Sequence, residues 1–600
     1  MTDMFNGYIR PKSLRLSATA AGARAFHGGK TGRRRLAAVL ASSTMLASPV
    51  WAQDLPTGGQ VVSGSAAIST RGNAMTIDQS SDRMIADWQS FSIGAGSSVT
   101  FNQPGSSSVA LNRVTGQDPS RILGSLDANG QVFLVNPNGV AIGATGRVQT
   151  GGFVASTLGI SNGDFLSGRY NFAGTGGPIT NQGSISGSVV ALIAPSVTNS
   201  GTISGDTAMA AGTDVLLDFD GDGLLSVEVK ASTLATLVEN RGLVQAAGGT
   251  AILTARGASE ARKGVVNNTG TVEATSIASR NGRILLLGDM DNGVVKAGGT
   301  LRAGSVETSA AKVELDRNLT VDTQGGHWLI DPTDITIDAA HAAALVTAHA
   351  SGDVTVSTAG AGGDAGDITV DAAVTWGSHV LTLRADNDIV VNAGLTSTGA
   401  TASDGLVLRY AQTTASGDYI VNAPVNLASG SLFRTQKGSD AAVTYTVITS
   451  LGTAASSNDG TLQGMVGNLS GNYVLGADID ASATAGWNGG AGFAPVGDGS
   501  WLTTLSAFSG IFDGLGHTVS GLTINRPSTS SVGLFGYVDG GTIRHVGLTG
   551  ASIAGQFQTG ALAGINGGTI VRSFASGSVD GTGWYVGGLA GANTGTIVES

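Results

Sequence analysis

Downstream of residue 53 the chain alternates short apolar runs with Gly, Asn, Ser and Thr, and the alternation has a recognisable unit. Asn-x-Gly-x-(Ile/Val) occurs as Asn181-Gln-Gly183-Ser-Ile185, Asn199-Ser-Gly201-Thr-Ile203, Asn240-Arg-Gly242-Leu-Val244 and Asn268-Thr-Gly270-Thr-Val272. Several copies are followed by a richer apolar run: Val189–Ile193, Ala251–Leu253 or Ile284–Leu287. Each unit reads as turn, short strand, turn, short strand. Asn and Gly tolerate the left-handed backbone of a tight corner. The apolar residue two places after the glycine then points inward under period-2 alternation. One such unit cannot cover its own apolar face, so the units must stack. An antiparallel sandwich is the competitor, but it calls for longer strands joined by hairpins. The pattern predicts an all-β chain wound as a right-handed parallel β-helix (a β-solenoid), with almost no helix in residues 53–320. At about 20 residues per coil and ~4.8 Å between strands, residues 53–600 would make a monomeric rod on the order of 130 Å long.

Composition supports one elongated architecture over several globular domains. Glycine supplies 93 of 600 residues, charged residues are 12% and apolar residues 41%. The apolar share is too high for disorder, and the charged share is about half the usual ~25%. The net charge of −11 is unevenly distributed. Residues 1–52 hold eight Lys/Arg against Asp3, giving +7; the remainder holds 32 − 8 = 24 basic and 43 − 1 = 42 acidic residues, giving −18. An acidic body offers no surface for tracking phosphates, which argues against nucleic acid as a partner. Cysteine is absent, as suits passage through an oxidising compartment. The basic segment has an address-like order. Arg33-Arg34-Arg35 precedes the apolar run Leu36–Ala47, then Ser48-Pro49-Val50-Trp51-Ala52. That is a long secretory signal peptide, residues 1–52, cut before Gln53. The apolar run is shorter than the ~20 residues of a membrane span. Gly29-Lys30-Thr31 lacks the earlier glycine of a phosphate loop, since Arg24 stands in its place.

Residues 53–300 carry an ordered set of motifs. These are Phe101-Asn102-Gln103-Pro104, Ala110-Leu-Asn112-Arg113-Val-Thr-Gly116, Ile122-Leu-Gly-Ser-Leu126, and Asn129-Gly130 running through Val132–Val135 to Asn136-Pro137-Asn138-Gly139. Gly152–Thr157, Asp164-Phe165 and Leu192-Ile-Ala-Pro195 follow. In this order they resemble the secretion domain of filamentous-haemagglutinin-like proteins, the exported partners of two-partner secretion systems. The resemblance implies a β-helix capped at its N-terminus and recognised by the periplasmic domains of a dedicated outer-membrane transporter. Asn112, Arg113, Asn136, Pro137, Asn138 and Gly139 are the residues it nominates for recognition. The family's other turn, Asn-Pro-Asn-Leu, has no copy here. Asn136-Pro137-Asn138-Gly139 also reads as an ordinary β-turn, with Pro137 presetting φ and Asn138 and Gly139 suiting the later positions. A corner that only shapes the coil and one that touches the transporter both remain open.

Beyond residue 300 the strand-like pattern continues. Gly326–Ile337 resembles a boundary segment of large proteins of this family, and residues 301–495 read as a solenoid extension. In residues 496–600, Gly533-Leu-Phe-Gly536, Gly560–Gly564 and Gly588–Gly591 recur in phase with Gly541-Thr-Ile543, Gly568-Thr-Ile570 and Gly595-Thr-Ile597. This resembles the glycine-leucine-glycine (GLUG) repeats of bacterial surface proteins, and it breaks off at Ser600 inside a copy, as expected of the N-terminal part of a longer product.

Signs of reaction chemistry are sparse. Asp218, Asp220 and Asp222 alternate as in a calcium loop, but position twelve is Val229 and Glu228 is out of register; a polar turn is the plainer reading and a calcium site the alternative. Ser309-Ala-Ala-Lys312 lacks the companion motifs of penicillin-recognising enzymes, and His341 and His349 are not a zinc-helix pair. No cofactor and no catalytic residue are nominated. The sequence points to a secreted or surface-exposed adhesin or structural exoprotein whose host or bacterial surface ligand is unmarked. The alternatives are the stalk of a contact-dependent toxin or haemolysin, and a β-helical carbohydrate-active enzyme.

Overall fold

The computed structural model describes residues 55–219, 225–259, 261, 263–275, 282–360, 363–498 and 506–600. The signal segment 1–52, Asp220 and Asp222 lie outside the described residues. The described chain is a parallel β-helix. Successive coils stack strand on strand in a 25-stranded sheet, flanked first by an eight-stranded sheet and further along by four- and three-stranded sheets. Before residue 320 the described residues hold a single helix, α1 (Asn162–Ser167).

Each regular coil has three strands, where the sequence suggested two. Ile179–Asn181, Ser184–Ser186 and Val189–Ala194 stack under Val197–Asn199, Thr202–Ser204 and Asp206–Ala211, with one register shift at the corner between Ser186 and Val189. The coil from Leu237 to Ala255 lies on the next level. Ile185, Ile203, Val244 and Val272 are fully buried, as the alternation requires.

The asparagines do not sit at left-handed corners. Each ends the first strand of its coil with its side chain inside. Asn181 Nδ2 donates to Asn199 Oδ1 (2.8 Å), Asn199 to Asn240 (2.8 Å), Asn240 to Asn268 (2.7 Å), and Asn268 to the Gly298 carbonyl (2.7 Å). The amide group is the reason for Asn: it donates to the next rung while its Oδ1 accepts the backbone N–H two residues on, as at Gly183 (3.1 Å) and Gly201 (3.2 Å). The glycine that follows is required by crowding and not by positive φ. A Cβ on Gly201 would lie 2.1 Å from the Gly183 carbonyl oxygen of the coil below. Replacing Asn199 by Ala should strand the Asn181 amide and the Asn240 carbonyl in a dry interior, costing about 1–3 kcal/mol. Chemical denaturation of the purified protein measures this; an unchanged midpoint would refute the ladder's contribution.

The N-terminal end is closed by antiparallel pairing. Gln60–Ser63 runs against Arg83–Trp88, and Ala66–Arg71 against Ala74–Gln79, before parallel stacking begins with Ser98–Asn102 and Val109–Val114. An antiparallel sheet of Tyr170–Ala173, Asp214–Phe219 and Leu225–Val229 covers one outer face. With α1 it buries Phe133, Phe165, Tyr170 and Phe172 in a second core outside the coil. Serine 161 caps α1 by accepting from the Asp164 N–H, and Gly168 ends it in the left-handed region.

At Gly326–Ile337 the main sheet is not interrupted: His327–Asp331 pairs with Ser305–Ser309 on one side and Asp353–Ser357 on the other. The flanking sheet changes instead, and helix α2 (Ala339–Ala348), capped by Asp338, is inserted. A further hydrophobic core begins at Ile448. There the glycine-leucine-glycine recurrence, every 27 or 28 residues, is the coil itself, with Phe535 over Ala563 over Ala590 and Ile543 over Ile570 over Ile597. The asparagine ladder reappears, Asn566 donating to Asn593 (2.7 Å).

Candidate recognition surface

The motif Ala110–Gly116 forms the inward and outward faces of one strand, Val109–Val114. Asn112 points in. It is fully buried; its Oδ1 accepts from Trp88 Nε1 (3.0 Å) and its Nδ2 donates to the carbonyls of Ala110 and Phe133 (both 3.3 Å). It therefore cannot touch a partner and is removed from the recognition candidates: a buried Trp N–H needs an acceptor, and Asn112 supplies it. Arg113 points out, a quarter exposed, pairing with Asp87 (2.8 Å) and donating to Asn162 Oδ1 (2.6 Å) at the start of α1. It ties α1 to the coil.

The corner Asn136–Gly139 divides in the same way. Asn136 is fully buried. Its Nδ2 donates to the Asp118 carbonyl and to Ser120 Oγ (both 3.0 Å), while its Oδ1 accepts the Asn138 N–H (3.0 Å). The Gly139 N–H closes the turn on the Asn136 carbonyl (3.1 Å). Gly139 has φ of 122°, which only glycine adopts readily. Pro137 and Asn138 are exposed. Asn138 Nδ2 reaches back to the Gly116 carbonyl (2.9 Å). Asn136 is thus a structural post, and only Pro137 and Asn138 offer side chains to a partner. Sequence reasoning missed the posts around the turn, Asp118 and Ser120; nothing in their spacing from Asn136 marks them.

The other nominated chemistry does not assemble. Asp218 is exposed near the end of an antiparallel hairpin strand, opposite Ser226. Among the described residues no three His, Cys, Asp or Glu gather as a metal site. Lys312 pairs with Glu314 (2.9 Å), whereas Ser309 donates to Glu307 (3.0 Å). His341 binds its own helix cap, Asp338 (2.8 Å), and His349 is buried at the C-terminal end of α2. Among the described residues no helix is long and apolar enough to cross a membrane.

The described residues thus combine a parallel β-helix, an antiparallel N-terminal cap, an antiparallel sheet over one outer face and an exposed Pro-Asn corner held from beneath by Asn136. Residues 52–303 match the TPS secretion domain, so this part of the chain resembles the secretion domain of two-partner secretion exoproteins. It is 35% identical over 253 residues to the heme/hemopexin-binding protein of Haemophilus influenzae strain Rd, covering 40% of this chain and 28% of that protein. A second heme/hemopexin-binding protein of H. influenzae is 30% identical over 313 residues, covering 46% and 33%. The chain therefore spans a third or less of the length of these relatives. Among solved structures, the crystal structure of the HMW1 secretion domain from H. influenzae is 26% identical, with a TM-score of 0.45 over 63% of this chain and all of that one.

Proposed function

We propose that this protein is carried across the outer membrane by a cognate two-partner transporter, whose periplasmic domains read the capped N-terminal coils, and that it serves at the cell surface as a non-enzymatic adhesive or structural element. The TPS secretion domain at residues 52–303 is the observation that carries this reading. The Pro137–Asn138 corner supports it: the corner is exposed, yet fixed from beneath by Asn136, so it presents a preformed shape to a partner at little entropic cost. The repeats of residues 496–600 fit a GLUG-type surface module, stacked coil on coil.

The test is export of the full chain from a host with and without its transporter. Secretion that persists without the transporter would sink the proposal. Two variants then separate shape from contact. Asn136→Ala should lower stability by about 1–3 kcal/mol, since it leaves the Ser120 hydroxyl and the Asp118 carbonyl short of a partner. Asn138→Ala should leave the thermal melt within a degree or two of wild type while reducing export, because it removes exposed atoms and two peripheral bonds, to the Gly116 carbonyl and to Asn136 Oδ1. Normal export by Asn138→Ala would restrict the corner to a structural role.

A further inference from the structure

The eight-stranded sheet presents one outward row of side chains along its length. In register these are Arg121, Ala141, Thr180, Thr198, Glu239, Asn267, Lys296 and Glu314. The second half of the row is saturated by its own neighbours. Asn267 donates to Glu239 (3.1 Å), Arg241 pairs with Glu239 (2.9 Å), and both Lys296 and Lys312 pair with Glu314 (2.9 Å each). The first half is different. Ala141 is small, so the row sinks there into an open groove of about 520 Å³, bounded by Pro119, Leu123 and Pro178 with Asn138 at its rim. Arg121 is exposed and makes no ion pair among the described residues, on a chain of net charge −11.

A solvent-facing sheet that pairs its charges along one half and leaves an apolar hollow with a free cation along the other is built unevenly for a reason. An exposed apolar hollow rimmed by polar groups marks an interaction site, in which a few polar groups fix the orientation of what enters. The groove shares Asn138 with the corner that the reading above assigns to the transporter, so it continues that surface. We propose that the transporter's periplasmic domains dock here, inserting an apolar side chain over Ala141 and setting a carboxylate against Arg121. This rests on the transporter reading and names the place and chemistry of the contact. The carboxylate is chosen by complementarity: Arg121 offers planar paired donors that suit it. An acidic partner would meet repulsion over most of this acidic body, so the free arginine would also fix where it lands.

The experiment measures binding of the purified transporter periplasmic domains to the full chain, wild type against Arg121→Glu and Ala141→Phe. Both positions face solvent on the strands Ser120–Ile122 and Val140–Ile142, and Arg121→Ala and Ala141→Val stand in should either first variant melt early. The expected result is a rise in Kd of about tenfold or more for each variant, with loss of salt dependence for the Arg121 variants. Wild-type binding that neither position alters would overturn the groove while leaving the transporter reading intact. Failure of the wild type to bind, together with export that needs no transporter, would overturn that reading itself. If the groove instead joins two copies of this chain, wild type will self-associate and Ala141→Phe will not, and the proposal falls.

Discussion

Replacing Asp513 by alanine should be among the most damaging single changes available to this protein, costing about 3–5 kcal/mol locally. Asp513 is fully buried where the coils beyond Ile448 meet those before it. Tyr419 donates its hydroxyl to Asp513 Oδ2 (2.5 Å), His545 Nδ1 lies 3.1 Å from Oδ1, and the Leu515 N–H donates to the same oxygen (2.8 Å). Beside it Arg544 lies 4.0 Å over the Tyr419 ring, binds the Tyr419 carbonyl (3.0 Å) and pairs with Asp418 (3.1 Å), which Arg572 also pairs (3.1 Å). Removing the carboxylate leaves the buried Tyr419 hydroxyl, the His545 ring nitrogen and the Leu515 N–H without their shared partner, and takes a negative charge from beside Arg544. Burial alone would push the Asp513 carboxyl up; His545, Arg544 and the Tyr419 hydroxyl outweigh it and hold it below the usual range. Its contribution is therefore complete above the unfolded carboxylate pKa and fades as pH falls through the lowered folded value. Stacked coils open locally, so the measurement is hydrogen exchange on either side of the joint. Faster exchange in Tyr419–Val421 and Ile511–Asp513 is expected. Protection equal to wild type in both strands would show that the cluster holds nothing together.

Acidification should weaken the coil at the C-terminal end of α2 through His349. Its ring is buried, stacks on Trp376 at 5.5 Å, and neither ring nitrogen has a hydrogen-bond partner. Burial, reinforced by His379, brings its pKa down from 6.5 to about 3. The folded state thus holds the neutral ring, while the unfolded chain takes a proton from pH 6.5 downward. Stability is at its full value above pH 6.5 and falls by about 1.4 kcal/mol per pH unit toward pH 3, where the loss levels off. His349→Phe keeps the stack on Trp376 and removes the proton site. Comparing the two proteins cancels the carboxylates that titrate in the same range. Wild type should lose stability more steeply than the variant between pH 6.5 and 4, and parallel curves would exclude His349 as the cause.

Much of this protein could be read directly from its residues. Period-2 alternation and the Asn-x-Gly-x-Ile unit point to a stacked parallel β-helix, because strands this short, turned at each corner, cover their apolar face by stacking coil on coil and lack the length and hairpins of a sandwich. The ordered motifs from Phe101 to Pro195 mark the secretion domain, and the 27-residue recurrence of Leu562 and Leu589 sets the later coils. These are local signals, repeated at a fixed period along the chain. The direction of each side chain at the site was not local. Asn112 and Arg113 are adjacent in sequence, yet one serves Trp88 inside the coil and the other holds α1 outside. Asn136 and Asn138 flank one proline, and only Asn138 faces solvent. Whether an asparagine is a post or a contact depends on what the coil above and the coil below place beside it, and those neighbours lie a variable distance away: Asn199 is 18 residues from Asn181 but 41 from Asn240. The joint of Tyr419, Asp513 and Arg544 spans 94 to 125 residues. The sequence by itself determined that the chain winds and which face of each strand is buried, because both follow from alternation within a few residues. Only the tertiary structure decided which polar groups meet across the coils, since the inserted hairpin, α2 and unequal turns shift the register between rungs by amounts that no local pattern encodes.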